Sequence, residues 1–226
     1  EEIAARFGGP SESLWVVPPA GPIPRPGRDA ATVRTALGVA LDAPLVVSVA
    51  RLHPQKDLAT LIDAAAILRS EVPGVRVVIV GEGPIERELR NRIDERGLSD
   101  TVLLAGPSAN AADELAAADV VVVTSLWESG PLVAAEALLL ERPLVSTPVG
   151  FVPKLVEQGV SGWSTPVGDA GAVARSVAQA LGDPVAAASM ARIGRERVQG
   201  LLGAERLVTE VAAVYDRVLG RREASR

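Results

Sequence analysis

The sequence predicts an α/β fold: a Rossmann-like, doubly wound parallel sheet of about six strands, with helices on both faces and further helices at the carboxyl end. Three observations point to it. Short Val-rich apolar runs recur without polar alternation, segments of helical period separate them, and Gly or Pro punctuates the junctions.

The elements follow in order. Residues 1–9 read as the end of a helix closed by Gly8 and Gly9, as if the chain began partway through a longer one. Residues 18–27 hold five prolines and two glycines and read as a linker. Residues 1–27 are therefore set apart from a domain over residues 28–226. Pro44–Ala50 is an apolar run of strand length. After Asp57, residues Leu58, Leu61, Ile62 and Ala65 fall at i, i+3, i+4 and i+7, completing one β-α unit.

The unit recurs with a strand over Val75–Val80 and a helix over Pro84–Arg96, Pro84 suiting the first helical position and Gly97 the stop. Glu86 with Arg90 and Glu88 with Arg92 are spaced as i,i+4 ion pairs. Strands are expected at Val102–Ala105, Val120–Thr124, Pro143–Thr147 and Gly162–Pro166, and helices at Asn110–Ala118 and Leu132–Leu140. The rest is helical, ending with Leu207, Val208, Val211, Tyr215 and Val218 on one stripe.

Composition narrows the chemistry. Of 226 residues 48% are hydrophobic and 23% charged, which fits one large globular domain, and the net charge of -5 offers no overall attraction to nucleic acid or an anionic membrane. With no cysteine, thiolate metal sites and cysteine nucleophiles are excluded; with one histidine, His53, so is any site needing two imidazoles. A metal site would have to be built from carboxylates. No apolar run is long enough to cross a bilayer, and a cytoplasmic location is expected.

In a doubly wound sheet the ligand lies beyond the carboxyl ends of the strands, so the residues after each strand carry the chemistry. Arg51 and Lys56 place two cations at the mouth of the crevice, a fork and a point charge suited to a diphosphate. Each, taken alone, reads more readily as a solvated surface cation; their place beside the other loops favours the diphosphate. Gly81 and Gly83 form a tight strand-to-helix turn that admits a ligand to the backbone or serves the turn alone. The missing third glycine, and Asp100 lying beyond a further helix, disfavour NAD.

The most specific element runs from Glu128 to Glu136. The N–H groups of Gly130, Leu132 and Val133 at the helix start suit a phosphate, and Pro131 gives up an N–H that would be unpaired anyway. Glu136 suits the vicinal hydroxyls of a ribose and Glu128 those of a sugar; otherwise both are favourable charges near a helix N-terminus.

Together, Arg-Leu-x-x-x-Lys at Arg51–Lys56, Gly-Glu-Gly-Pro at Gly81–Pro84, Glu-x7-Glu at Glu128–Glu136 and Thr147-Pro-Val-Gly150 resemble the C-terminal domain of family-four retaining glycosyltransferases of GT-B fold. The resemblance covers about residues 14–220. It implies that Arg51 and Lys56 hold the donor diphosphate, Glu136 the ribose and Glu128 the transferred sugar, with the loop at Gly106–Ser108 beside the base. It implies transfer with retention, catalysed through Glu128, Arg51 and Lys56, with no metal, no cofactor and no protein nucleophile. The donor would be a UDP- or GDP-linked sugar.

The acceptor would be held mainly by a preceding domain, without which the isolated chain would be inactive, and the full-length enzyme would associate peripherally with membranes. Phe151 stands where a second glycine is usual after Gly150, Lys154 where a glutamate is common, Ala50 before Arg51 and Asp57 after Lys56 where glycines are frequent. His53 reads as a loop residue. The alternatives are a nucleotide-sugar epimerase or hydrolase on the same fold, a non-catalytic nucleotide-sugar-binding module, and a plain NAD-binding domain.

Overall fold

The computed structural model describes Trp15, Val17 and residues 23–219. The expected helix end at residues 1–9 and most of the linker lie outside the described residues. The chain divides into two compact units, Pro22–Gln199 and Glu1–Gly21 with Gly200–Arg226.

The larger unit holds β1 (Leu45–Val49), β2 (Arg76–Val80), β3 (Val102–Gly106), β4 (Val120–Val123), β5 (Leu144–Ser146) and β6 (Trp163–Ser164). They form one sheet in the order β3-β2-β1-β4-β5-β6, and every pairing is parallel. Full burial explains the unbroken apolar runs: all four valines of β4 are buried, and in β1 both Val46 and Val47 are at 0% exposure.

Around the sheet lie α1 (Ala30–Ala36), α2 (Leu58–Glu71), α3 (Glu86–Glu95), α4 (Ala111–Ala117), α5 (Leu132–Leu139), α6 (Val152–Leu155), α7 (Ala170–Gly182) and α8 (Pro184–Leu202). Val46, Val77, Ile79, Val120, Val122 and Val145 point to one face, where Leu61, Ile62 and Leu68 of α2, Leu89 of α3 and Val177 of α7 close the core. Helices α1, α4 and α5 serve the other face, α4 against β1 and α5 against β4 and β5.

Several local expectations are corrected. The third helix starts at Glu86, not Pro84, because Gly83–Ile85 stays in a turn tied to the loop after β1, with Ile85 N–H donating to Leu52 O at 3.3 Å. Glu86 and Arg90 do pair, but Arg92 turns to Asp63 on α2, at 2.9 and 2.6 Å, instead of Glu88. A bidentate fork between packed helices outcompetes a solvated i,i+4 pair.

Helix α1 has no counterpart in the periodicity. Asp29 caps it by accepting from Thr32 N–H at 2.8 Å, and buried Arg34 anchors it by donating to the carbonyls of Leu41, Ala43 and Ala117 and to Asp119. Short α6 was likewise unforeseen.

In the smaller unit, α9 (Ala204–Val218) carries the expected stripe, yet none of its described residues is buried, and Val208, Tyr215 and Val218 are each more than half exposed. The Arg217 guanidinium lies 5.6 Å from the centroid of the Trp15 ring. Among the described residues no helix is long and apolar enough to cross a membrane.

Candidate functional site

The strand order reverses between β1 and β4, and in a doubly wound sheet ligands lie beyond the carboxyl edge at such a switch point. The loop after β1 carries Arg51 and Lys56; the loop after β4 carries Glu128 and leads through Gly130 into α5. Topology thus makes neighbours of two segments about 72 residues apart.

Hydrogen bonds join the carboxyl-edge loops into a belt. Gly81 N–H donates to Gly106 O (2.8 Å), Leu52 N–H to Glu82 O (2.9 Å) and Leu126 N–H to Gln55 O (2.8 Å). Thr124 Oγ1 donates to Lys56 O (2.9 Å) and Thr147 Oγ1 to Ser125 O (2.7 Å). Five loops are thereby held in register.

At its centre, Lys56 Nζ forms an ion pair with Glu128 Oε1. That carboxylate also accepts from Ser125 Oγ at 2.8 Å and from Gln55 Nε2 at 3.4 Å, and the Gln55 amide further donates to Trp127 O at 2.8 Å. The two charged side chains are only 16% and 10% exposed. A 3-10 turn over Pro54–Lys56 presents the lysine, and Asp57 ends it in the left-handed region, φ 45°, where glycine is frequent. Its carboxylate accepts from Thr60 Oγ1 at 2.7 Å. The His53 ring, at 3.4 Å from Gln55 N–H, belongs to the same turn as an acceptor.

Arg51 is exposed, and its side chain makes no hydrogen bond or ion pair among the described residues. Helix α5 begins at Leu132 with Pro131 as its cap, and the amides of Gly130, Leu132 and Val133 have no partner among the described residues. These are the donors a helix start leaves free. Glu136 lies on the second turn, half-buried, its carboxylate without a hydrogen bond among the described residues.

Burial pushes the Glu136 carboxyl above its ordinary value. Because the folded value exceeds the unfolded one, the charged form weakens the fold at neutral pH, and the penalty vanishes as pH falls below the ordinary 4.5. Glu136→Gln is expected to raise Tm at neutral pH, the gain shrinking to nothing under acid; a pH-independent gain in thermal unfolding would contradict this.

The glycines serve the belt itself. A Cβ on Gly81, at φ 142°, would meet Ala50 O at 1.9 Å, and one on Gly83 would meet Leu52 O at 2.3 Å. What approaches these glycines is the neighbouring loop. Ser108 lies after β3, at the far end of the belt, where Oγ donates to Glu114 at 2.8 Å and accepts from Asn110 N–H at 3.2 Å. Glu114 and its neighbour Asp113 both receive Arg28, and the Arg28 hydrogen bond, with Gly27 N–H behind it, holds the Asp113 carboxyl below its usual range. Ser108 is therefore engaged where the linker joins the domain.

The structure thus brings Lys56 into contact with Glu128 and puts Gly130, Leu132, Val133 and Glu136 on the same continuous segment, with Arg51 heading the lysine's loop. Gly81 and Gly83 support that loop, and Ser108 stands two strands from β1. Gln55 and Ser125, which share the Glu128 carboxylate, were missed by sequence reasoning; Gln55 sits inside the Arg51–Lys56 motif, but its partners are on another loop. Among the described residues no group of three or more His, Asp or Glu is placed to hold a metal. Two concavities of about 550 and 640 Å³ lie at the opposite edge, beside Pro44 and Pro73, away from these side chains.

Residues 29–197 match the family described as glycosyl transferases group 1. The chain is similar to N-acetyl-alpha-D-glucosaminyl L-malate synthase of Bacillus anthracis, 27% identical over 85% of this chain and 50% of the relative. It is also similar to D-inositol 3-phosphate glycosyltransferase of Saccharomonospora viridis, 36% identical over 77% of this chain and 43% of the relative. It thus spans about half the length of these relatives. Among solved structures, Anabaena HepE in complex with UDP superposes with a TM-score of 0.84 at 27% identity, covering 94% of this chain and 60% of that one. The same protein with UDP-glucose gives 0.82.

Proposed function

The chain belongs to the glycosyl transferases group 1 family, and from that premise we propose that it is the donor-binding half of a retaining, metal-independent glycosyltransferase that takes its sugar from a nucleotide diphosphate. The observation that carries this reading is the carboxyl edge at β1 and β4, whose loops carry a half-buried cation, unpaired helix-start amides and, on the following helix, a partnerless half-buried carboxylate. A diphosphate supplies the acceptors that the Lys56 ammonium and the amides of Gly130, Leu132 and Val133 can serve. Arg51, free at the head of the same loop, forks onto the second phosphate.

Vicinal hydroxyls of a ribose supply the donors that Glu136 lacks, and Glu128 receives the hydroxyls of the transferred sugar once Lys56 turns to phosphate. The base lies towards Gly106–Ser108. As the glycosidic bond to phosphate breaks, negative charge grows on the leaving diphosphate, and Arg51, Lys56 and the start of α5 stabilise it without a divalent ion. The acceptor attacks from the face the nucleotide leaves, and the leaving oxygen takes its proton, so configuration is retained. The acceptor is held by a partner domain, and transfer requires both halves. The complexes of HepE with UDP and with UDP-glucose favour a uridine donor.

Calorimetry with UDP-glucose, GDP-mannose and NAD tests this reading. A nucleotide sugar is expected to bind and NAD not, and Arg51→Ala to weaken binding about tenfold, the loss of one charge-assisted contact. Equal affinity in the variant removes Arg51 from the site, and preference for NAD overturns the donor reading.

A further inference from the structure

We propose that Phe151 is a positioning residue, a wedge that sets the Glu128–Gly130 segment for the sugar end of the donor; the proposal rests on the donor-binding reading above. Although it caps a short helix at the edge of the sheet, Phe151 is 6% exposed. Its ring covers Gly130: a Cβ built there would lie 2.5 Å from Cε1 and 2.7 Å from Cδ1.

The preceding residue presses on the same segment. Gly150, at φ 57°, comes so close that a Cβ on it would lie 3.0 Å from Ser129 O and 3.1 Å from Glu128 O. Thr147 Oγ1, at the start of this turn, donates to Ser125 O. The Glu128 loop is thereby clamped between two neighbours, Gln55 and Lys56 from the β1 side and Gly150 and Phe151 from the β5 side.

Only the second clamp contains a bulky apolar side chain. It acts by fixing the peptide that carries the Glu128 carboxylate and the Gly130 amide. Leu132 and Val133 belong to a helix with its own hydrogen bonds, so the phosphate end of the donor depends less on this clamp than the sugar end does. The consequence is selective: loosening Phe151 reduces the extra affinity contributed by the sugar more than the affinity for the bare nucleotide diphosphate.

The test is a double-mutant cycle on the whole chain. From a panel of uridine and guanosine diphosphate sugars, the conjugate bound most tightly is compared with its own nucleotide diphosphate. Phe151→Ala is expected to raise Kd for the conjugate about tenfold, with the nucleotide diphosphate held within about threefold, since small misplacements of positioning groups cost that much. Gly130→Ala, whose methyl collides with the ring, is expected to do the same. Combining the two is expected to recover most of the loss, because removing the ring makes room for the methyl. Phe151→Leu is expected to keep most of the affinity.

Amide exchange provides a readout independent of ligand: Leu126 and Ala134, whose bonded amides flank this segment, are expected to lose protection in Phe151→Ala, and less in Phe151→Leu, relative to β1. An unchanged conjugate-to-nucleotide ratio in Phe151→Ala, additive losses in the double variant, or unchanged exchange would each overturn the positioning role and leave the donor reading standing. A wild-type chain that binds none of the panel overturns the donor reading and this proposal together.

Discussion

Lys56→Met is expected to weaken binding of a nucleotide diphosphate about ten- to hundredfold, while Glu128→Gln leaves it unchanged or tightens it by up to about tenfold. The asymmetry comes from the ion pair. The Lys56 ammonium is paired with Glu128, so a phosphate that takes this cation must displace the carboxylate from it. Removing the lysine deletes a charge-assisted contact of about 1.5–3 kcal/mol. Removing the charge of Glu128 deletes the competitor, while the Gln55 and Ser125 donors remain to hold a neutral amide.

The two variants then part again on the sugar. Glu128→Gln keeps the nucleotide but loses the charged acceptor for sugar hydroxyls, so transfer by the joined halves falls even as nucleotide binding holds. Titration of both variants with UDP checks this. Equal losses in the two would mean that the pair is a structural tie and not a ligand site.

Gly81→Ala is expected to lower the stability of the fold by about 3 kcal/mol or more, as an overlap with backbone combined with an unfavourable φ demands. The new methyl would lie 1.9 Å from Ala50 O, and that carbonyl cannot swing away because the loop after β1 is bonded on both flanks, to Glu82 and to Leu126. In thermal unfolding this amounts to a fall of roughly 6–12 °C for a domain of this size. A variant that melts as the wild type does but no longer binds nucleotide would assign the glycine to ligand approach instead of loop packing.

The sheet was legible because buried parallel strands must be apolar on both faces; Val120–Val123 admits no other reading once flanked by Asp119 and Thr124. Its boundaries were less so, since a run such as Pro143–Thr147 continues apolar or small beyond the three residues that pair. Helix α1 was invisible because its main anchor, Arg34, works through partners up to 85 residues away. The same holds for Arg92, whose choice of Asp63 over Glu88 depends on how α2 and α3 pack.

At the site, the residue types and their places after strands could be read, because a doubly wound sheet dictates where ligands go. The contact of Lys56 with Glu128 could not, nor the part played by Gln55. Phe151 stood out in the sequence only as a departure from a glycine; that its ring lies against Gly130 is a fact of packing between two loops.

The central claim is that the loops after β1 and β4 together grip a diphosphate-linked sugar, and amide chemical-shift mapping during titration with UDP-glucose tests it most directly. Saturable shifts are expected at Leu52, Gln55, Lys56, Gly130, Leu132, Val133 and Glu136. No saturable shift, or shifts gathered at the amino edge around Gly38, Gly74 and Asp100, would contradict it.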